Sequence, residues 1–570
     1  AKCDCIRIPG LGKTNTVVKP DEVGVTGLHG LDESHIGLSI EVERAGAQSR
    51  HWAHVVSVVD ATTVELDREA THTVVDADGM IFGDTQTGNM SIEAGSTMLT
   101  VTGFDFLNTH QTGNHGTWEG RAVRIEGAGS EPLYTTITGI VNSSRIAIAD
   151  TCLTTTNDAD IIIGTDDTAA IQAAIDAAIA EGGYRPVLIP GYSKVMHPTG
   201  PTPDASADNG SIFYFDSDST IYIRGPARNA SGLIYREVGD KNPMYFWHTP
   251  STGQEVFHNS LFSISENKDR GQADAIVNFK ISDLEIDMGF RVGNTRSGAF
   301  AWNVTTGDGW SGGNAFRNRG NTGDIIMERL DVHSARAELI YGSANTSHWT
   351  IRDCIWRDSS ANGMNFGCAY MTIENVQTKN LGSSGIACSA KIGGIVNNFS
   401  AWNVENNWCG HDEEEFVEDR EPFIVTNCRF QDIFSPGPAM KVNGLSLLVS
   451  DCVFVDCNNG LYLVLAWAEG HGAPFMVGAK VNNCMFIVNE MNTNRAILIS
   501  DQDNSVSFNV LVQGCMIYNV SRTGRSLTNG IRTNIENENS LVVLRDNDFV
   551  GVGSPYDDWG TYLPVTMNNR

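Results

Sequence analysis

The chain is short of charge, shortest of basic side chains, and has no long apolar run. Charged residues are only 19% of its 570 residues, and 39 Lys and Arg face 68 Asp and Glu, a formal net charge of −29. A surface of that sign disfavours polyanions over the protein as a whole, so nucleic acid is not an expected partner, although a local basic groove is compatible with it. No apolar stretch approaches the ~20 residues that span a bilayer, so no membrane insertion is expected. The opening Ala1-Lys-Cys-Asp-Cys5 has no secretory apolar segment, so export is expected either after loss of a signal or by a route that needs none. Cysteines number 12 without forming a disulfide framework, because five recur at one repeated position and read as buried free thiols. The pair Cys3 and Cys5 lacks the second ligand pair of a metal site.

Glycine is plentiful at 58 residues, and the sequence after Gly271 is rich in Asn. That composition suits turns and stacked polar ladders better than helices. The length is large for one compact domain but not for an elongated repeat, in which each repeat buries its core against the next.

The first part of the chain is a duplication. Gly37-Leu-Ser-Ile-Glu-Val-Glu-Arg-Ala-Gly46 resembles Gly120-Arg-Ala-Val-Arg-Ile-Glu-Gly-Ala-Gly129, and Val55, Val64 and Met80 open segments matched by Ile137, Ile146 and Ile161. Alternating apolar residues broken by Gly, Asn and Asp predict two small antiparallel β modules, over 1–83 and 84–164. Nothing in them looks catalytic, and a spacer or attachment role is expected.

Next, Thr165-Asp-Asp-Thr-Ala-Ala-Ile-Gln-Ala-Ala-Ile-Asp predicts a helix. Ile171, Ile175 and Ile179 lie on one face, Asp166 or Asp167 is placed to cap the start, and Gly182-Gly183 ends it. Pro186-Val-Leu-Ile-Pro-Gly191 then reads as a buried strand and turn. This passage resembles the opening of pectate-lyase-like β-helices, frequent in phage tailspikes and polysaccharide-degrading enzymes. The resemblance implies a right-handed parallel β-helix over 165–552 whose open end the helix covers, with 553–570 as a C-terminal tail.

A repeat in the body agrees with this. Fragments such as Arg352-Asp-Cys-Ile-Trp356, Thr426-Asn-Cys-Arg-Phe430 and Ser450-Asp-Cys-Val-Phe454 align into a core column: Leu284, Leu330, Cys354, Val376, Phe399, Cys428, Cys452, Cys484, Cys515 and Asn547. After a first gap of 46 residues the spacing is 22 to 32, and the preceding position is mostly Asn or Asp. One coil per repeat, stacked at ~4.8 Å, puts like residues over one another. A second column is expected at Gly363-Met, Gly385-Ile, Asn407-Trp, Pro438-Ala, Gly460-Leu, Arg495-Ala and Gly530-Ile. The segment 192–280 reads as first coils plus an insertion, and Gly307 to Asn321 as a protruding loop.

Inside a β-helix is packing, so chemistry is expected on outward side chains and turns. The turn after the second strand holds His411-Asp412-Glu413-Glu-Glu415, Glu469-Gly-His471-Gly472, Asp501-Gln-Asp503 and Glu536-Asn-Glu538. Stacked acids repel and raise some pKa values, a route to the protonated and ionised carboxyls of glycoside hydrolysis. The plain reading of the same edge is a solvated acidic border, and a structural Ca²⁺ site is a further one. No other cofactor is expected. Candidate catalytic residues are Glu338, Asp412, Glu413 and His411. Trp408, Tyr462, Trp467 and His471 are candidates for holding sugars, with Trp402 nearby. Asp358 is a further carboxylate, and an exposed pair of Glu338 with Arg336 is the plain alternative for Glu338. A lyase would need a base and a carboxylate-neutralising cation, for which Lys391, Lys441 and Arg495 are available. Gly470-His471-Gly472 matches a piece of polygalacturonases, but their accompanying motifs are not recognisable and no residue role is carried over.

The duplicated modules ahead of the helix motif look like those of phage tailspikes. That implies a homotrimer, attachment to a virion through the N-terminal modules, a virion or extracellular location, and a bacterial surface polysaccharide as partner, hydrolysed rather than eliminated. A binding-only virion fibre and a secreted bacterial lyase or glycosidase are the competing expectations.

Overall fold

A computed structural model describes side chains chiefly in 90–101, 133–157, 167–195, 212–233, 260–264, 276–288, 314–342, 347–411, 421–464, 478–500, 509–534 and 540–557, and mostly strand backbone before residue 90. The body is a right-handed parallel β-helix of three sheets. Sheet A is a single 12-stranded sheet, from Tyr192–Val195 to Asp548–Val550. Sheets B and C form one 23-stranded assembly, because the strands Met364–Glu374 and Ile386–Asn397 run unbroken round the corner between them. Each coil passes from sheet C through a tight corner into sheet A, then by a turn into sheet B.

The corner explains the Asn and Asp column. Asp283, Asp353, Asn375, Asn398, Asn427, Asp451, Asn483 and Asp546 all hold φ between 51° and 60°. Asn and Asp tolerate this left-handed backbone better than other residues with a Cβ. They also bond up the stack: Asn375 Nδ2 donates to Asp353 Oδ1 at 3.0 Å, and Asn398 Nδ2 to Asn375 Oδ1 at 2.7 Å. A second ladder marks the end of sheet A, where Asn380 Nδ2 reaches Asp358 Oδ1 and Asn403 Nδ2 reaches Asn380 Oδ1, both at 3.0 Å. The column after the first corner points inward, and every member from Leu284 to Asn547 is buried. Asn547 is satisfied there by backbone: its Oδ1 accepts from Cys515 N–H at 2.9 Å and its Nδ2 donates to Val512 O at 3.1 Å. Like residues also stack in the core, with ring centroids of Phe430 and Phe454 at 5.0 Å and of Phe454 and Phe486 at 4.5 Å.

The helix Thr168–Ala180 packs Ile171, Ile175 and Ala178 onto the first coils, with Ile179 partly buried beside them. Asp167 stands at the N-cap position, but no side-chain capping bond forms; its backbone carbonyl accepts from Ile171 N–H at 2.9 Å. The end at Gly182-Gly183 is as expected, with φ of 86° and 74°. A Cβ on Gly183 would fall 1.8 Å from Thr220 O, so the chain reverses there only with glycine.

Ahead of the helix, the first module orders its strands Cys5–Arg7, Gly79–Phe82, Ser39–Glu43, Arg50–Asp60, Thr63–Leu66 and Gly24–Thr26 side by side. The second repeats that order with Thr85–Ile92, Thr156–Gly164, Ala122–Ile125, Leu133–Asn142, Arg145–Ile148 and Met98–Val101, and closes into a barrel. Even the bulges recur: register shifts at Val55/Ser57 and Val58/Asp60 match those at Ile137/Gly139 and Ile140/Asn142.

Three expectations need correction. Within the supposed loop, Asn314–Asn318 is a buried strand of sheet B, and Phe316 stacks on Phe262 at 5.3 Å. One apolar pair amid Gly and Asn hid it. Beyond residue 552, Val552–Asp558 and Val565–Met567 pair with earlier strands, so the presumed tail belongs to the coil stack. In the second column three of seven pairs were out of register by one residue, Asn407-Trp late and Pro438-Ala and Arg495-Ala early: the registers set Met364, Ile386, Asn407, Met440, Leu461, Ile497 and Ile531 in one inward line. A slip of one exchanges inside for outside.

Candidate functional site

Correct register defines the outer face of sheet B. Going down the stack, Arg317, Tyr341, Asn365, Ala387, Trp408, Lys441, Tyr462, Leu498, Arg532 and Asp557 stand in one outward column. Their neighbours along each strand, such as Cys409, Val442 and Leu463, are fully buried in the core. Trp408 and Tyr462, expected to hold sugars, therefore share this column, two coils apart with Lys441 between them.

Glu338 sits at the head of the same face, on the turn entering sheet B. Only 1% of it is exposed. Both Asn362 Nδ2 and Asn365 Nδ2 donate to its Oε1 at 2.7 Å, while Oε2 is buried without a hydrogen-bond partner. Burial pushes the carboxyl up to about 7, against smaller opposing effects of the two Asn donors and the Arg317 charge. Asn314, Glu338 and Asn362 hold equivalent positions on successive coils, each two residues before a paired core residue (Phe316, Ile340, Met364). Asn314 Oδ1 is likewise buried without a partner. Neighbouring acceptors that lack a donor favour the carboxylic acid over the carboxylate. Glu338 is buried, not exposed, and Arg336, its expected partner, lies outside the described residues.

His411 ends its sheet B strand and is 1% exposed. Its Nε2 lies 2.9 Å from Glu421 O, its ring meets Phe423 edge-on, and Gly444 (φ 146°) leaves the gap that its Nδ1 occupies. Glu338 and His411 are three coils apart, ~14 Å along the stack, beyond the ~5–9.5 Å of a hydrolase carboxyl pair. Glu338 and His411 themselves are thus too far apart along the stack to form one catalytic pair. The acidic turns do follow strands that stack in register, since Gly444, Leu465 and Asp501 align. Asp412, Glu413, Trp467 and His471 themselves lie outside the described residues.

Sheet A carries a second cluster that sequence reasoning missed. Glu285, Asp287, Asp331, His333 and Arg357 point outward on three successive coils yet are at most 8% exposed. His333 Nε2 is 3.0 Å from Glu285 Oε1, and Arg357 grips Asp331 with Nε at 2.8 Å and Nη2 at 3.1 Å. Arg357 Nη1 also donates to Asp358 Oδ2 at 3.0 Å, so Asp358 is both a left-handed corner residue and an ion-pair partner. The signal was present in Glu285-Ile-Asp287 and Asp331-Val-His333, where charge alternates with an apolar residue. These groups are buried and bonded to one another. Trp402, further down sheet A, is exposed and donates to Asp432 Oδ2 at 2.6 Å. It does not share the Trp408 face. Among the described residues no group of His, Cys, Asp and Glu is arranged to hold a metal ion.

No protein-family model and no curated protein sequence matches the chain. Solved structures do resemble it. The A-module of mannuronan C-5 epimerase AlgE4 from Azotobacter vinelandii is 16% identical, covering 70% of this chain and 95% of that one, with a TM-score of 0.40. The catalytic domain of a GH87 alpha-1,3-glucanase is 10% identical, covering 99% and 90%, with a TM-score of 0.41. Bacteriophage CBA120 tailspike protein 3 is 10% identical, covering 71% and 59%, with a TM-score of 0.34. The fold, from the sheets and ladders above, is a right-handed parallel β-helix, and none of these resemblances assigns a role to a residue.

Proposed function

We propose that this is a tailspike-type protein that binds an extended bacterial polysaccharide along the outer face of sheet B and hydrolyses it, with Glu338 as the proton donor. The observation that carries the reading is the Glu338 carboxyl, held at about 7 at the head of a column that includes Tyr341, Trp408 and Tyr462. A carboxyl protonated near neutrality suits protonation of a leaving glycosidic oxygen, which favours hydrolysis over elimination. Asp412 and Glu413 are proposed as contacts to sugars further along the chain, not as Glu338's partner. His411, packed as described, is proposed to hold that turn in place, and Trp467 and His471 to border the face.

The test is digestion of bacterial capsules, lipopolysaccharide O-chains and acidic glycans, reading reducing ends and unsaturated-sugar absorbance together. New reducing ends that Glu338→Gln lowers about 100-fold or more support the proposal. Ultraviolet-absorbing ends overturn hydrolysis. The 1% exposure of Glu338 favours a second reading, a virion fibre that binds without cleaving, and binding with no cleavage of any glycan selects it.

Homotrimeric assembly, with the N-terminal modules attaching to a virion, belongs to the same proposal. The half-buried outward residues Val453, Val455, Met485, Ile487, Met516 and Tyr518 form a straight apolar stripe on sheet A, of a kind that parallel copies would cover. Sedimentation of the full chain decides it: a single monomeric species removes the trimer.

A further inference from the structure

We infer that the lower half of the sheet B face is a row of subsites for an anionic polysaccharide, in which Lys441, Arg495 and Arg532 meet acid groups of the sugars while Trp408 and Tyr462 receive ring faces. The inference deepens the function proposed above and takes from it only the location of the glycan.

Its first support is placement. Lys441 is half-buried and stands directly between Trp408 and Tyr462 on successive coils. Among the described residues it makes no ion pair. An aliphatic stem lying between two rings, with a charge at its tip, can hold an anionic substituent of a sugar whose faces the rings cover.

Its second support is cationic crowding one to two coils below. Arg495 donates from Nε to Asn459 Oδ1 at 3.2 Å, and Arg532 approaches Asp557 Oδ2 with Nε at 3.6 Å. Burial first, and then the nearby Arg495 charge, disfavours the charged form of Arg532. Two guanidinium groups that repel each other on one face gain from an anion placed against them. Among the described residues of these coils, Lys441, Arg495 and Arg532 accompany two carboxylates, Asp557 in the column and Glu405 at the place on the Trp408 coil that Arg495 holds on its own. This occurs in a chain whose formal net charge is −29. A row of positive charge on such a background is a selective feature, because the rest of the surface repels the same ligand.

The rise of ~4.8 Å per coil is close to the length of one pyranose unit, so residues on successive coils can address successive sugars. An acidic chain with a carboxylate on most units would then meet Lys441 and the arginines in turn.

The experiment is affinity electrophoresis of the full chain carrying Glu338→Gln, which keeps the glycan intact. Gels contain polygalacturonate, alginate, hyaluronate or polysialic acid, with dextran and amylose as neutral polymers. At least one acidic polymer should retard the protein, more weakly at high salt, and neither neutral polymer should do so. Adding Lys441→Gln should weaken that retardation about tenfold, the loss of one charge-assisted contact. Lys480→Gln, on the exposed outer face of sheet C, should leave it unchanged. Since Lys441 and Lys480 both point outward, thermal unfolding should show both variants folded. Retardation by neutral polymers alone, by none, or equally with Lys441→Gln overturns the inference. Wild-type cleavage of a neutral polymer would uphold the proposed hydrolysis while removing this inference. Acidic-polymer binding that depends on Lys441, without cleavage, would do the reverse.

Discussion

Replacing Glu338 with Gln should make the protein's stability less dependent on pH. The side chain is buried, and its carboxyl lies at about 7 in the fold against an ordinary value of 4.5. Its pKa is raised, so the folded state holds the proton more tightly than the unfolded chain. Stability from this group is therefore complete below about pH 4.5, falls as pH rises, and is lost once pH passes about 7. The interval is worth roughly 3 kcal/mol. Gln keeps an Oε1 for Asn362 and Asn365 and cannot ionise. Taking roughly 390 residues of β-helix at about 2 cal/mol/K each, 3 kcal/mol corresponds to ~4 °C in Tm. Calorimetry of wild type and Glu338→Gln at one scan rate, at pH 5 and pH 8, measures it. The variant should lose about 4 °C less than wild type between the two conditions. Equal losses would refute the argument that burial holds this carboxyl protonated.

Three further outcomes are expected. If Glu338 donates the proton, kcat of the depolymerisation should fall as pH rises through about 7, and a flat profile from pH 5 to 9 would remove it from that role. The ten described free cysteines are all buried, and burial pushes the Cys354 thiol up to about 12, so none of the ten should react with Ellman's reagent until the chain unfolds. Asn398 has φ 51° and bonds to Asn375, so Asn398→Ala should cost about 1–2 kcal/mol by thermal or denaturant unfolding, and Asn398→Gly less, since glycine relieves the backbone but not the lost bond.

What the sequence disclosed follows from how strongly each position is constrained. The residue after the first corner must be inward and the residue before it must accept a left-handed backbone, so Asn427-Cys428 or Asp451-Cys452 is recognisable wherever it recurs. The duplicated modules were legible for the same reason, down to strands whose bulges recur at Val55/Ser57 and Ile137/Gly139. Entry into sheet B is bounded by a turn of variable length with no required residue. There the pairs at Pro438 and Arg495 fall one place early and the pair at Asn407 one place late, and the strand Asn314–Asn318 has no local signal. Glu338 was picked out for its place near the second strand, but its burial comes from other coils. Glu285 and His333 are 48 residues apart, and nothing local announces that they meet.

The joining of sheets B and C in Met364–Glu374 and Ile386–Asn397 has a consequence for how such a protein can change. The coils are interchangeable parts that differ mainly in the turns between them. On the proposed function, duplication or loss of one whole coil between Glu338 and Trp408 would preserve the parallel strand pairing and shift everything below it by ~4.8 Å, about one sugar, relative to Glu338. Trp408 and Tyr462 would then address a different unit of the same polymer. Substrate choice could in this way be altered by gene slippage, in whole steps, without a single substitution on the binding face.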